Sequence, residues 1–358
     1  MLNVTKTYLP DKKKFLKHVD AIWQNHILTN NGPLLNLLED KLKVYSGCRH
    51  VLACTNGTVV LQMALKALNI TKEVITTPFS YVATTNAILW EHCTPVFVDI
   101  DPANFTIDVD KIEQAITKDT QAILATHVYG FPCDVEKIGK IAAKHKLKVI
   151  YDGAHAFGAT YKGKSLLSFG DITTCSFHAT KLFHCGEGGA LFTNNKKLAK
   201  SLFIMRSFGH IHDDYYSVGI NAKMPELNAA MGLCMLDDIA AIIKQLKAAS
   251  MLYKKHLSER PEFYLVLPSV PEQYNYAYCP VIFQDEKTLK KAMRSLAEDN
   301  IFPRRYFFPS LNTLPFLKAT NSCAVSEDIS KRVLCLPLSY YITEKEIKKV
   351  CSILNKLK

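Results

Sequence analysis

From about residue 50 the chain alternates short apolar, β-branched runs with longer stretches in which apolar residues recur at helical spacing. HVLAC (50–54) precedes a helical pattern over 58–68, EVITT (73–77) one over 81–91, and PVFVDI (95–100) one over 109–116. The series continues through QAILATH (121–127), a helical stretch over 135–145 and LKVIYD (147–152). Strands separated by helices of this length require right-handed crossovers, so the pattern predicts an α/β fold with a mostly parallel sheet covered by helices on both faces. Ligands bind such sheets beyond the carboxyl ends of the strands. The residues that follow each apolar run are therefore the ones to read for chemistry.

Flanking this region, helical patterns cover 12–25 and 34–45, the second closed by Gly47, with the turn cluster LTNNGP (28–33) between them. After a strand over 190–193, helices are expected over 196–208 and from Pro225 onward. A long helix over 239–256 then leads into a smaller mixed α/β domain, with strands over 263–267 and 278–283 and helices over 287–299 and 343–357. The expected division is a large domain over 1–238 and a small one over 239–358.

Composition narrows the possibilities. With 358 residues, 48% of them hydrophobic, the chain can bury a large core. No run reaches the roughly 20 apolar residues of a membrane helix, and the first residues lack the apolar centre of a signal peptide, so a cytoplasmic enzyme with no membrane partner is expected. Eleven cysteines stand singly, without a C-x-x-C pair or a His/Cys cluster, which speaks against a metal site or a disulfide framework. The net charge of +11 comes from lysines spread along helix faces, such as Lys137, Lys140 and Lys144. Without a clustered basic arm or a helix-turn-helix it does not call for nucleic acid or a regulatory role, while a phosphorylated cofactor or a nucleotide sugar suits it equally well.

The candidate chemistry lies at the strand ends. Lys181, in SFHATK, follows an apolar strand over 172–177 and precedes the glycine-rich GEGGA (186–190). A desolvated lysine there is suited to forming an imine. Asp152 closes LKVIYD, where a carboxylate can hold a pyridine nitrogen protonated or, alternatively, cap the turn that follows. His155 can bond that carboxylate or touch a bound ring. Asn56, Gly57 and Thr58 end a strand and open a helix, a position that receives phosphate, and Ser176 can add a hydroxyl. Tyr81, after another strand, can stack on a flat ring or serve as core. The weight lies in the order of these groups along one sheet edge.

The motifs LTNNGP, NGT, TTPFSYVATTNAI, PVFVDID, HVYG, YDGAHAFGA, SFHATK, GEGGA, GINAKMPELNAAMGL, RRYFFP and LPL together resemble the DegT/DnrJ/EryC1/StrS family of sugar aminotransferases, over nearly the whole chain. The resemblance implies the aspartate-aminotransferase fold type and pyridoxal 5'-phosphate (PLP) as cofactor. It implies that Lys181 is the Schiff-base lysine, that Asp152 pairs with the pyridine nitrogen, that Tyr81 stacks on the ring, and that Gly57, Thr58 and Ser176 hold the phosphate. Asn221 would reach the phosphate of a neighbouring subunit, making a homodimer with shared sites. The implied substrates are L-glutamate as donor and a nucleotide-linked 3-keto or 4-keto sugar as acceptor. Arg305 and Tyr306, in RRYFFP, and His184 are the candidate sugar-nucleotide contacts, with a surface ion pair for Arg305 and a plain loop position for His184 as the other readings. Asn56 in place of a common serine, Lys223 in place of arginine, and Cys234–Met235 in place of an Ala-Gln pair depart from the family pattern. The related sugar dehydratases carry histidine where this chain has Lys181, which favours transamination.

Overall fold

The computed structural model describes residues 1–257, 260–268, 270, 274–317 and 321–357. Its centre is a seven-stranded sheet in the spatial order His50–Cys54, Gly189–Thr193, Ile172–Ser176, Lys148–Asp152, Thr120–Thr126, Glu73–Thr76, Thr94–Phe97. Gly189–Thr193 runs antiparallel to both neighbours and every other pairing is parallel. The period-two alternation of a strand explains why the sheet is covered twice. Val51 and Ala53 enter one core while Leu52 and Cys54 enter another, and Ala190 and Phe192 separate from Leu191 in the same way.

Most of the expected helices form where the pattern places them. Gly57–Ala67 and Val135–His145 are capped locally by the side chains of Asn56 and Asp134, and Glu344–Leu354 opens on a capping box of Thr343 and Glu346. The stretch over 109–116 differs: it makes only two short 3₁₀ turns, Val109–Lys111 and Glu113–Ala115. There the Asp108 side chain accepts from the Asp110 amide at 3.1 Å, a local bond that competes with α-helical turns.

The helices expected from Pro225 and over 239–256 are one 31-residue helix, Glu226–His256, so a division at 238/239 falls inside a continuous element. Beyond it, Phe263–Leu265, Pro280–Phe283 and Val333–Cys335 form an antiparallel three-stranded sheet. Helices Glu286–Glu298 and Glu344–Leu354 accompany it, together with Ala324–Arg332, which the sequence pattern did not suggest. The amino terminus returns to this region, because Leu2–Asn3 pairs in parallel with Ile301–Phe302. That pairing brings residues 3–5 to the mouth of a cleft at the carboxyl edge of the large sheet.

Candidate active site

The cleft has a volume of about 1100 Å³, and the ends of the parallel strands form its inner wall. Lys181, Asp152, Ser176, Gly57, Thr58, Tyr81, Asn221 and Tyr306 all line it.

Lys181 sits in the connection between the antiparallel strands Ile172–Ser176 and Gly189–Thr193. That connection is folded back on itself by bonds from the Ala179 amide to the Gly186 carbonyl (2.7 Å) and from the Cys185 amide to the Phe177 carbonyl (2.9 Å). Glycine is required where it rejoins the sheet, since a Cβ on Gly189 would lie 2.5 Å from the Asn56 carbonyl oxygen. Desolvation lowers the pKa of Lys181, opposed by the nearby Asp152 carboxylate, and its Nζ lies 3.5 Å from the Tyr278 hydroxyl. An amine so placed is closer to its neutral, nucleophilic form than a surface lysine is.

Asp152 is 5% exposed, lines the cleft and makes the turn cap that was one of its two readings from sequence. Its Oδ1 accepts the Ala154 amide at 3.0 Å, which caps the following turn, and its Oδ2 accepts the Thr84 hydroxyl at 2.7 Å. His155 is buried against Phe307, its ring stacked at 5.5 Å, and meets Tyr278 edge-on at 4.7 Å. Desolvation, then the charge of Lys181, push its pKa well below the usual histidine range, so the ring is neutral. Its Nδ1 accepts the Tyr129 amide at 3.2 Å, which leaves the proton on Nε2, and that buried donor has no partner. No bond joins His155 to the Asp152 carboxylate among the contacts described.

Asn56 alters the corner where a phosphate is expected from sequence. Its side-chain oxygen accepts the amides of Thr58 (3.0 Å) and Val59 (2.8 Å), so the Thr58 amide, expected to face a phosphate, is already occupied. The Gly57 position and the hydroxyls of Thr58 and Ser176 border the cleft, and a Cβ on Gly57 would come within 2.7 Å of Ser176 Cβ. The helix start beyond them still presents its positive dipole end. Tyr81 stands immediately before the helix Val82–Trp90, 59% exposed at the cleft. Asn221 is exposed on the cleft rim of its own chain and accepts a bond from Lys223 Nζ at 2.7 Å.

Two expected sugar contacts are turned away. Arg305 bonds Glu286 at 3.2 Å and the backbone carbonyls of Ser330 and Lys331, and it stacks on Phe308. It is absent from the cleft lining, whereas its neighbour Arg304 is present there. The antiparallel bridge between Arg304 and Cys335 sets this alternation, because successive side chains of an extended segment point to opposite sides. His184 is 2% exposed and donates from Nε2 to the Tyr8 carbonyl at 2.7 Å, which makes it a tie for the amino-terminal segment. Sequence reasoning also passed over Thr84, Tyr278 and Arg304. Thr84 lay within the quoted TTPFSYVATTNAI run, but only the fold shows its hydroxyl against Asp152.

The donor set fits pyridoxal phosphate: a desolvated lysine, a fixed carboxylate and hydroxyls beside a helix start line one cleft, and the unpartnered imidazole N–H of His155 borders a small pocket beside it that shares Ser176, Lys181 and Tyr278 with the cleft. Among the described residues no group of three His, Cys, Asp or Glu is arranged to hold a metal, and all eleven cysteines are buried and unpaired. No described helix is long and apolar enough to cross a membrane.

The model of the DegT/DnrJ/EryC1/StrS aminotransferase family matches residues 10–355. The dTDP-4-amino-4,6-dideoxy-D-glucose transaminase of Shigella dysenteriae is 38% identical, over 99% of this chain and 98% of its own length. Among solved structures, DesI in the presence of its TDP-sugar product superposes with a TM-score of 0.94 at 31% identity, covering 99% of this chain and 92% of that one. NtdA of Bacillus subtilis, with bound cofactor PMP, superposes with a TM-score of 0.89 at 31% identity, covering 96% of this chain and 81% of that one.

Proposed function

The chain belongs to the DegT/DnrJ/EryC1/StrS aminotransferase family, whose cofactor is pyridoxal phosphate, and on that premise we propose that it moves an amino group from L-glutamate to dTDP-4-keto-6-deoxy-D-glucose, giving dTDP-4-amino-4,6-dideoxy-D-glucose. The observation that carries this choice of sugar is the 38% identity, across essentially the full length of both chains, to a transaminase named for that product. The TDP-sugar product of DesI supports the same nucleotide.

When bound, the cofactor supplies a carbonyl for amines and a ring that accepts an electron pair from the reacting carbon. The rest is the work of this chain's side chains. Lys181 Nζ takes a proton from the α-carbon of glutamate and later returns one to the sugar carbon that receives the amine, a task suited to a lysine whose pKa desolvation has lowered. Asp152 holds the ring nitrogen, and His155 Nε2–H donates to an oxygen at the ring edge. Gly57, Thr58 and Ser176 receive the phosphate at the helix start, and Tyr81 covers the ring face. Arg304, exposed in the cleft beside Tyr306, supplies the cation for the sugar-linked diphosphate. We place this reaction in the cytoplasm and in a homodimer, with Asn221 reaching the neighbouring phosphate. The exposed Tyr215, Tyr216, Val218 and Ile220 leading up to Asn221 form the apolar surface that such pairing would cover.

The test loads the protein with PLP, converts it with L-glutamate, and then offers dTDP-4-keto-6-deoxy-D-glucose and its 3-keto isomer separately. Return of the starting absorbance with the 4-keto sugar, and a 4-amino product by mass and NMR, is expected. Turnover of only the 3-keto isomer would move the amination to C3. A chain that loses the sugar hydroxyl without taking up nitrogen would be a dehydratase.

A further inference from the structure

We propose that three buried hydroxyls, those of Thr126, Ser80 and Thr84, form a one-way relay that positions the Asp152 carboxylate for the ring nitrogen of the cofactor. The three come from different elements that the sheet brings together. Thr126 closes the strand Thr120–Thr126 and lies in register with Asp152 on the next strand. Ser80 follows the strand Glu73–Thr76, and Thr84 is in the first turn of Val82–Trp90. None is more than 2% exposed. The chain of contacts is unbroken: Thr126 Oγ1 to Ser80 Oγ at 3.1 Å, Ser80 Oγ to Thr84 Oγ1 at 2.8 Å, and Thr84 Oγ1 to Asp152 Oδ2 at 2.7 Å.

Its direction follows from chemistry. A carboxylate only accepts, so Thr84 must give its proton to Oδ2. The Thr84 oxygen then receives the proton of Ser80, whose oxygen receives that of Thr126. Hydroxyls aligned in this sense polarise one another, and the last bond is stronger than an isolated one. The other carboxylate oxygen is held by the Ala154 amide. Two donors from separate elements, one on each oxygen, fix the rotation of the group, and the lone pairs left over belong to the cleft that Asp152 lines. Thr85, the next residue, is also buried, yet its hydroxyl has no partner, so burial of a threonine in this helix does not by itself produce such a contact. Thr84 is thus a positioning residue that acts through Asp152.

The inference rests on the proposed role of Asp152 opposite the ring nitrogen, and the test separates the two. Dissociation constants are measured for pyridoxamine phosphate, which needs no bond to Lys181, and for its 1-deaza analogue, in which carbon replaces the ring nitrogen. The wild-type protein should prefer the natural compound. Thr84→Val should lose about tenfold in affinity for it, with the analogue unaffected, and Thr84→Ser should restore the preference. Ser80→Ala, which leaves the Thr84 contact in place, should show the same selective loss at about threefold and serves should the valine variant fail to fold. Equal losses for both compounds, or none, would overturn the relay. Equal binding of both compounds by the wild type would remove the Asp152 reading, and the relay with it.

Discussion

The two walls of the cleft are built on different principles. The inner wall consists of strand ends, and its polar groups are tied down before any ligand arrives: Asp152 by Ala154 and Thr84, and the Thr58 and Val59 amides by Asn56, with His155 Nδ1 held by Tyr129 in the small pocket alongside. The outer wall is assembled from chain segments far apart in sequence. Its backbone is fixed by the Leu2–Ile301 pairing, the Arg304–Cys335 bridge and the bond from the Leu338 amide to the Val4 carbonyl at 2.9 Å. Two of its cleft-lining side chains, Phe302 and Arg304, remain exposed, while Cys279, Phe307 and Leu336 are buried. The inner wall is therefore a preorganised reagent site, and the outer wall is a rigid frame carrying adjustable contacts, the arrangement expected where one chemistry serves different sugars.

The largest effect that would sharpen this contrast belongs to Lys181. Lys181→Ala should slow the glutamate half-reaction by at least about a thousandfold in single-turnover absorbance measurements, because among the described residues no second lysine lines the cleft to carry the proton. A loss confined to the sugar half-reaction would mean that the division between walls is drawn in the wrong place.

Acid should expose the inner side next. Desolvation holds His127, stacked on Tyr151 behind the strand ends, at a pKa of about 3, against 6.5 for a free histidine. The unfolded chain takes up this proton first as pH falls, so the contribution of the neutral ring is complete above about pH 6.5 and is lost as pH drops toward 3, amounting to about 2 kcal/mol by pH 5. Denaturant titrations from pH 7 to 5 should show at least that loss, because neutral His155 adds a share of the same sign, and His127→Gln should reduce the drop by about 2 kcal/mol. An unchanged acid limb in the variant would assign the acid sensitivity elsewhere.

The same contrast explains what was legible in the sequence. Strand-end residues follow from periodicity, because a short apolar run both makes the strand and marks where it stops. Lys181, Asp152, Gly57 and Ser176 could be placed that way. Groups supplied across the fold could not. The helix Ala324–Arg332 lacks a local cap and is started by Asp99, whose carboxylate accepts the Val325 and Ser326 amides, both at 2.9 Å. Pro33–Ser46 is likewise started by Glu226, which accepts the Leu34 and Leu35 amides at 2.8 Å. The link from Thr84 to Asp152 is of this kind, and so is the choice between Arg304 and Arg305. Adjacent arginines look alike in sequence until the register with Cys335 decides which one faces the cleft.

That choice gives the smallest and most discriminating test. Arg304→Ala should raise KM for the nucleotide sugar about tenfold, with the glutamate half-reaction and the thermal midpoint unchanged, since an exposed arginine meeting a diphosphate acts only when the diphosphate is present. Arg305→Ala should do the reverse. It removes the bonds to Glu286 and to the Ser330 and Lys331 carbonyls, and with them the stacking on Phe308, so stability should fall by about 1–2 kcal/mol while KM holds. A double variant should show the two effects added, because one acts through the bound substrate and the other through packing around Glu286 and Phe308. A KM effect from Arg305 alone would mean that the segment turns over when substrate binds, and the outer wall would then be no rigid frame.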